Sequence, residues 1–498
     1  MLFRSFVAVL VGVLVSFANA EDRPNFIVLI SDDISYDDLG CYGSPNGRTP
    51  NIDALVGEGI KFTNAFLTAS SCSPSRSSIL TGRYPHNNGD AAELHRPISA
   101  HIPAVSSLLR DSGYYAALAG KNHMTWKKAR AGQKAPSDAF DKIYPAKSKG
   151  NSGGHGNWIN AIDECPEGKP FFLWLAALDA HRAWDGDKEW DESKYGPKHD
   201  PKTVVLPPAL LDQPGTRSDF ASYLNEVTRF DWFVGEVVAH LKEKALFENT
   251  QIFVIADNGR PFPRAKTRLH DDGMKTYFIT SGPAVKKSNV ESDSLISVID
   301  IAPTLCEMAG IEISPTFQGR SLLPVLSDPE AKIREFAFSE HNWHDYEALG
   351  RSVRDGRFLY IINERPQFAL QGPADSVKSQ SFQDLLSAHQ SSQELTPIQQ
   401  DVFLAPRPKV ELYDAERDPH QINNLAGNPE FESVERRLAA ALSYWRDKTA
   451  DSTPDEISSD YFHNETGNRL PIKPADFQRP PPGADKGADK VNDEGIRS

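Results

Sequence analysis

Four oxygen-bearing side chains stand at the ends of two apolar runs. "NFIVLISDD" ends in Asp32 and Asp33, and "QIFVIADNG" leads into Asp257 and Asn258. Carboxylates with an amide carbonyl suit a hard divalent cation, Ca2+ or Mg2+, better than zinc, which draws His and Cys. Either pair alone would read as a turn or a helix cap. A second kind of chemistry sits in "SSCSPSRSSILTGR", Ser70 to Arg83, where a lone thiol, Cys72, precedes Pro74 and Arg76. With a helix beginning over Ser75 to Leu80, Pro74 falls in its first turn and Cys72 just before it. The free N–H groups of that helix start, with the Arg76 cation, would draw an anion and lower the thiol pKa. A buried structural cysteine is the plainer alternative.

Two further apolar runs end in polar residues. "YYAALAGKNH" closes on Lys121 and His123, and "KPFFLWLAALDAH" on Asp179 and His181. All four runs read as buried strands. In open α/β sheets the carboxyl ends of the strands build the ligand site, so these distant segments can converge. Taken singly, Lys121 reads as a surface residue and His123 or His181 as a satisfied buried imidazole. "TPNIDALVGEGIKF" reads as a helix capped by Thr49, with Pro50 at its first position and Gly59 near its stop. Apolar residues from Tyr223 to Leu241 recur at helical spacing, which predicts a helix from about Ser222 to Leu246. Strands alternating with helices argue for an α/β fold with a largely parallel or mixed sheet. After about Asp328 the runs "FAFSEH", "FLYIIN" and "VELYDAERDP" and the helix "ESVERRLAAALSYWRDK" suggest a smaller α+β domain.

Cys72-Ser73-Pro74-Ser75-Arg76, followed by Leu80-Thr81-Gly82-Arg83, resembles the signature of type I sulfatases. The neighbouring motifs match one by one: "SDDISYDDLGCYG" with Asp32 and Asp33, "GKNH" with Lys121 and His123, "DAHR" with His181, and "ADNG" with Asp257 and Asn258. Lys266 falls where that family has a further basic residue. The likeness runs from about Asn25 to Lys448. It implies an alkaline-phosphatase-like fold, with a large mixed sheet and a smaller C-terminal domain built on an antiparallel sheet. It also implies that a formylglycine-generating enzyme oxidises Cys72 to an aldehyde. Asp32, Asp33, Asp257 and Asn258 would then hold Ca2+, with Mg2+ as the alternative, against residue 72. In the implied mechanism the hydrated aldehyde attacks sulfur, its hydroxyl activated by the cation and Arg76. Lys121, Lys266 and His181 neutralise the sulfuryl oxygens. A protonated His helps the leaving atom depart, and His123 takes the proton of the second hydroxyl to expel sulfate.

Within the family the sequence is most similar to the sulfamidase branch, which removes N-linked sulfate from glucosamine in heparan-type glycans. "DNGRPFPRAKT", "SFQDLL" and "LYDAERDPHQINNLA" carry that likeness. It implies that Asp179 and Arg182 contact the sugar and that His344, in "EHNWHDY", reaches in from the smaller domain. Ala180 stands where the sulfamidases have Pro, and Lys266 replaces an Arg, a point charge for a bidentate fork. The alternative substrate is an O-sulfated polysaccharide such as an algal glycan. A phosphatase or phosphodiesterase of the same fold would need a Ser or Thr nucleophile, and a non-catalytic glycan-binding protein would not need Cys72.

The rest of the chain bounds these readings. Of 498 residues 39% are hydrophobic, enough for a sizeable core, and the net charge of −14 argues against a nucleic-acid groove or a polybasic membrane patch. That acidity also disfavours a long groove for a polyanion, so chain ends are the expected substrates. Cys41, Cys72, Cys165 and Cys306 are too few and scattered for a disulfide framework. "MLFRSFVAVLVGVLVSFANA" reads as a signal peptide cut after Ala20, which predicts a periplasmic or secreted protein with no membrane span. The expected organisation is a leader at 1–20, a catalytic α/β domain at 21–330, a smaller α+β domain at 331–470 that completes the pocket, and a disordered tail at 471–498. The sequence does not set an oligomeric state.

Overall fold

Strands buried on both faces are apolar at every position, and strand pairing is what brings their ends together. A computed structural model describes residues 23–126, 139–146, 151–184, 187–453 and 458–471. The expected leader, and the expected tail beyond residue 471, lie outside the described residues.

The large sheet has eight strands: β1 (Asn25–Ser31), β2 (Gly59–Phe66), β3 (Tyr115–Gly120), β4 (Lys142–Tyr144), β5 (Phe171–Ala176), β6 (Thr250–Ala256), β7 (Phe278–Ser281) and β8 (Val290–Ser297). Their order is β4-β3-β5-β1-β6-β7-β2-β8. β7 runs antiparallel to β6 and β2, and the other pairings are parallel, so the sheet is mixed. β1 and β6 each send alternate residues to opposite faces. Phe26, Val28, Ile30, Phe253 and Ile255 enter one core, while Ile27, Leu29, Ile252 and Val254 enter the other. Two buried faces explain why both strands read as unbroken apolar runs.

Register places the polar ends. Ser31 pairs with Ala256, so Asp32-Asp33 and Asp257-Asn258 leave adjacent strands side by side. On the other flank Ile30 pairs with Ala176, and Ala176 with Gly120, which brings Asp179 and Lys121 to the same edge.

Two helices differ from the sequence reading. The long one spans Pro214–Glu243, starting earlier than Ser222. Its first turn is held by Asp384, which accepts from Thr216 N at 3.0 Å and from Thr216 Oγ1 at 2.9 Å. That acceptor is remote in sequence and leaves no local signal. The helix Pro50–Gly57 is not capped by the Thr49 side chain, which accepts from Gly40 N at 2.8 Å. Asp231 of the long helix does that work, accepting from Ile52 N at 2.8 Å and Asn51 N at 3.1 Å. A carboxylate there satisfies the free donors of a helix start.

The second sheet is antiparallel, in the order β12-β11-β10-β9, from β9 (Ala337–His341), β10 (Gly350–Arg354), β11 (Phe358–Asn363) and β12 (Val410–Asp414). The helix Glu432–Lys448 buries Leu438, Leu442 and Trp445 against it. A helix at Gln380–Gln390, unmarked in the sequence reading, caps itself through Ser379, whose Oγ accepts from Phe382 N at 3.2 Å.

Candidate active site

Cys72 is the first residue of the helix Cys72–Thr81, not the residue before it, and Ser71 is the N-cap. Every residue of this helix is buried, its serines and Arg76 included. Gly82 ends it in the left-handed conformation, at φ 62°, packed against Phe317 and Ala302. Burial also reverses the expected thiol chemistry. Desolvation raises the Cys72 pKa, and the nearby Lys121 and Lys266 only partly oppose it. The other three cysteines are likewise unpaired.

Around Cys72 the sheet edge supplies alternating charges. Its Sγ lies 3.7 Å from Asp32 Oδ1 and 3.9 Å from Asp33 Oδ1. Lys121 Nζ donates to Asp32, Lys266 Nζ donates to Asp33 Oδ1 at 2.6 Å, and Arg76 Nε donates to Asp257 Oδ2 at 2.7 Å. Asp257 Oδ1 accepts from Asp33 N at 3.2 Å, and Asn258 Nδ2 donates to Asp33. Burial alone would raise the Asp32 pKa, but Lys121, His181, Arg76 and Lys266 together hold it well below the ordinary carboxylate range. Burial wins at Asp33, which is raised, and at Asp257, pushed up to about 7.

Two buried oxygens, Asp33 Oδ2 and Asn258 Oδ1, have no hydrogen-bond partner among the described residues. Orphaned buried acceptors beside clustered carboxylates are what a hard cation would satisfy. Ligand atoms of Asp32, Asp33 and Cys72 all lie within 4.8 Å of one another. The donor set therefore fits a divalent cation. Arg76 Nη1 and Nη2 also lack a hydrogen-bond partner among the described residues, with Nη2 3.9 Å from Asp32 Oδ1, leaving donors for an anion.

The remaining expected residues surround this cluster. His181 Nδ1 meets the Arg182 carbonyl at 2.5 Å, its Nε2 lies 3.7 Å from Asp375 Oδ2, and its side chain is 35% exposed. His123 Nε2 is 2.6 Å from His95 Nδ1. Burial, then Lys121 and His95, lower the His123 pKa to about 2. His344 approaches from the chain after β9, with Nδ1 2.7 Å from Ser71 Oγ at the cap of the Cys72 helix. Asp179 and Arg182 are already engaged. Arg229 donates to both oxygens of Asp179, at 2.7 and 2.5 Å, and Arg182 forks onto Asp219 at 2.7 and 2.9 Å. Both line a recess of about 150 Å³ with His181 and Arg229.

Sequence reasoning passed over His95, Arg229 and Asp375. Asp375 sits in Ala374–Val377 with Oδ2 buried and unbonded among the described residues. "GPADSV" carries no motif that would single it out.

The chain matches the sulfatase family model over residues 24–311, and the model of the N-sulphoglucosamine sulphohydrolase C-terminal domain over 264–362. It is 28% identical over 468 residues to the N-sulphoglucosamine sulphohydrolase of Homo sapiens, covering 86% of this chain and 91% of that one. It is also 28% identical over 476 residues to an ulvan-active sulfatase of Formosa agariphila, covering 85% and 75% respectively. A solved structure holding its substrate D-glucosamine-2-N,6-O-disulfate superposes with a TM-score of 0.63 at 18% identity, over 87% of this chain and 99% of that one. With the first family model spanning more than half of its length, the chain belongs to the sulfatase family and is a sulfatase.

Proposed function

We propose that this sulfatase removes N-linked sulfate from glucosamine at the ends of heparan-type chains, with Ca2+ and a formylglycine made from Cys72. The observation that carries the substrate class is the match of residues 264–362, which include Lys266 and His344, to the N-sulphoglucosamine sulphohydrolase C-terminal domain. An O-sulfated algal glycan is the second reading, favoured by the likeness to an ulvan-active enzyme.

Asp32, Asp33, Asp257 and Asn258 would hold the cation, which when bound supplies charge neutralisation beside residue 72. An aldehyde hydrate there supplies a hydroxyl nucleophile with a second hydroxyl on the same carbon. The Arg76 Nη atoms, which have no hydrogen-bond partner among the described residues, bind sulfuryl oxygens with Lys121 and Lys266 and stabilise charge as it develops. His181, at the exposed rim, donates a proton to the departing nitrogen or oxygen. His123 accepts a proton at the buried end of the site. Cys72 is only 2% exposed, so the formylglycine-generating enzyme would act before the chain folds. The domains at 21–330 and 331–470, the leader and periplasmic or secreted residence complete the reading. Among the described residues no helix is long and apolar enough to cross a membrane.

Sulfate release from N-sulfoglucosamine, 6-O-sulfated glucosamine and ulvan oligosaccharides tests the substrate. Release from the N-sulfated sugar is expected, and its absence with matured enzyme overturns the first reading. Mass spectrometry of the peptide bearing Cys72 distinguishes aldehyde from thiol.

A further inference from the structure

Two histidine rings meet at the edge of the site. His95 Nδ1 and His123 Nε2 are 2.6 Å apart, with ring centroids 4.7 Å apart and planes tilted by 42°. At that separation one nitrogen carries the proton and the other accepts it. The two ends differ. His123 Nδ1 is buried with no hydrogen-bond partner among the described residues, whereas His95 is exposed. A continuous path thus runs from a buried ring nitrogen, through two rings, to solvent.

The pair is tied to the reactive helix. His95 takes a positive φ of 64°, which is uncommon for a residue with a side chain, and its N–H donates to Ser73 Oγ at 2.8 Å. Ser73 follows Cys72 directly, so the position of the His95 ring is set from the helix that carries the reacting residue.

Electrostatics favours such a path. The charges acting on His123 are Lys121, His95, Arg76 and Asp32, and those on His95 are Lys121, Lys266 and His181. Burial and this mostly cationic surrounding disfavour an imidazolium at His123. A base whose charged form is disfavoured gains from handing one proton on as it takes another.

We propose that His95 is a proton-relay residue, acting through His123 so that His123 stays neutral while it takes the proton released in catalysis. This rests on the reading of His123 as the base. Before transfer each ring carries its proton on Nε2. A hydroxyl proton moves to His123 Nδ1 while the Nε2 proton crosses to His95 Nδ1. The proton on His95 Nε2 leaves to water. Each ring is neutral before and after, and no heavy-atom bond changes in either. Loss of the Nδ1 proton to a water leaving with product, and return of one from solvent through His95, restore both tautomers, so His95 lends the site an acceptor during the transfer and no proton crosses it net over a turnover.

His95→Asn keeps an acceptor for His123 but cannot pass a proton on, and His95→Ala opens space for a small base. With 4-nitrophenyl sulfate as probe, kcat of His95→Asn should fall on the order of 10²-fold, with KM within about threefold. Added imidazole should restore His95→Ala at least about tenfold. In the wild-type enzyme, kcat in H2O/D2O mixtures should bend as a transfer of more than one proton requires. A kcat of His95→Asn within about threefold of wild type, failure of imidazole to rescue, or a linear isotope plot overturns the relay. The isotope plot decides if the variants do not fold. His123→Ala separates the two claims. If it is inactive while His95→Asn is not, the base stands and the relay falls; if it keeps full activity, the base reading itself fails.

Discussion

The carboxyl edge of the large sheet and the rim beside it are both rich in charge, but they use charge differently. At the edge, Asp32, Asp33 and Asp257 face Lys121, Lys266 and Arg76 and still leave Asp33 Oδ2, Asn258 Oδ1 and two Arg76 nitrogens unsatisfied among the described residues. On the rim, Asp179 is closed by Arg229 and Arg182 by Asp219, each through two hydrogen bonds. Unsatisfied buried groups are costly, so an edge that keeps them is built to be completed by a cation and an anion. A rim whose charges neutralise one another gives shape. On the proposed reading, sulfate chemistry would belong to the first region and recognition of the attached group to the second.

The largest test strikes the edge. Lys266 is buried and donates to Asp33, so Lys266→Ala removes a positioned cation and leaves that carboxylate less compensated. Loss of kcat by about 10²–10³-fold on 4-nitrophenyl sulfate is expected, the usual cost of one preorganised donor. Arg182→Ala, on the rim, should lower kcat on that small probe by less than about tenfold. Equal losses in the two variants would erase the contrast.

Cation removal sharpens the same contrast through stability. Binding that satisfies Asp33 Oδ2 and Asn258 Oδ1 acts on the folded state alone. Calcium at about 100 times its Kd should therefore stabilise the chelated protein by about 2.7 kcal/mol. The thermal midpoint measured with and without chelator reads this directly, and no shift would mean that the edge holds no ion.

A third test probes what fastens the second sheet. Asp451 accepts from Arg351 of β10 at 2.7 and 2.8 Å, with both side chains almost fully buried. Burial raises the Asp451 pKa, but Arg351, then His86, hold it down to about 2. A folded pKa below the unfolded value of about 3.9 gives stability that is present above about pH 4 and lost as pH falls towards 2. The gain is on the order of 2 kcal/mol, and it should vanish from the acid-unfolding curve of Asp451→Asn.

How much of this was legible in the sequence follows the same division. Asp32, Asp33, Asp257 and Asn258 were readable because each ends an apolar run, and parallel register then fixes them side by side. Cys72 and Arg76 were readable as a motif, but the thiol pKa was read in the wrong direction. A helix start favours the thiolate, but in a helix buried throughout the cost of desolvating it is larger. His95, Arg229 and Asp375 stood in no motif or strand end, and their roles depend on contacts across 28 to 194 residues of chain. The same holds for Asp231 and Asp384, which cap helices from afar. Caps made by distant carboxylates leave no trace beside the helix they start.

Asp375 offers the smallest and most specific break. Its Oδ1 accepts from Ser376 N at 2.8 Å, while Oδ2 is unbonded among the described residues and lies 3.7 Å from His181 Nε2. Burial raises its pKa, but Lys266, His181 and Arg182 outweigh that and keep it below the ordinary carboxylate value. An ionised acceptor at the rim can take a hydroxyl or N–H of the sugar beside the scissile group. Asp375→Asn keeps the size and removes the charge. A fall of about tenfold in kcat/KM on N-sulfoglucosamine is expected, with less than about threefold on 4-nitrophenyl sulfate, which has no such donor. A loss that is equal on both would move Asp375 from the rim to the edge, since only a residue acting on the sulfuryl group itself is blind to what the sulfate is attached to.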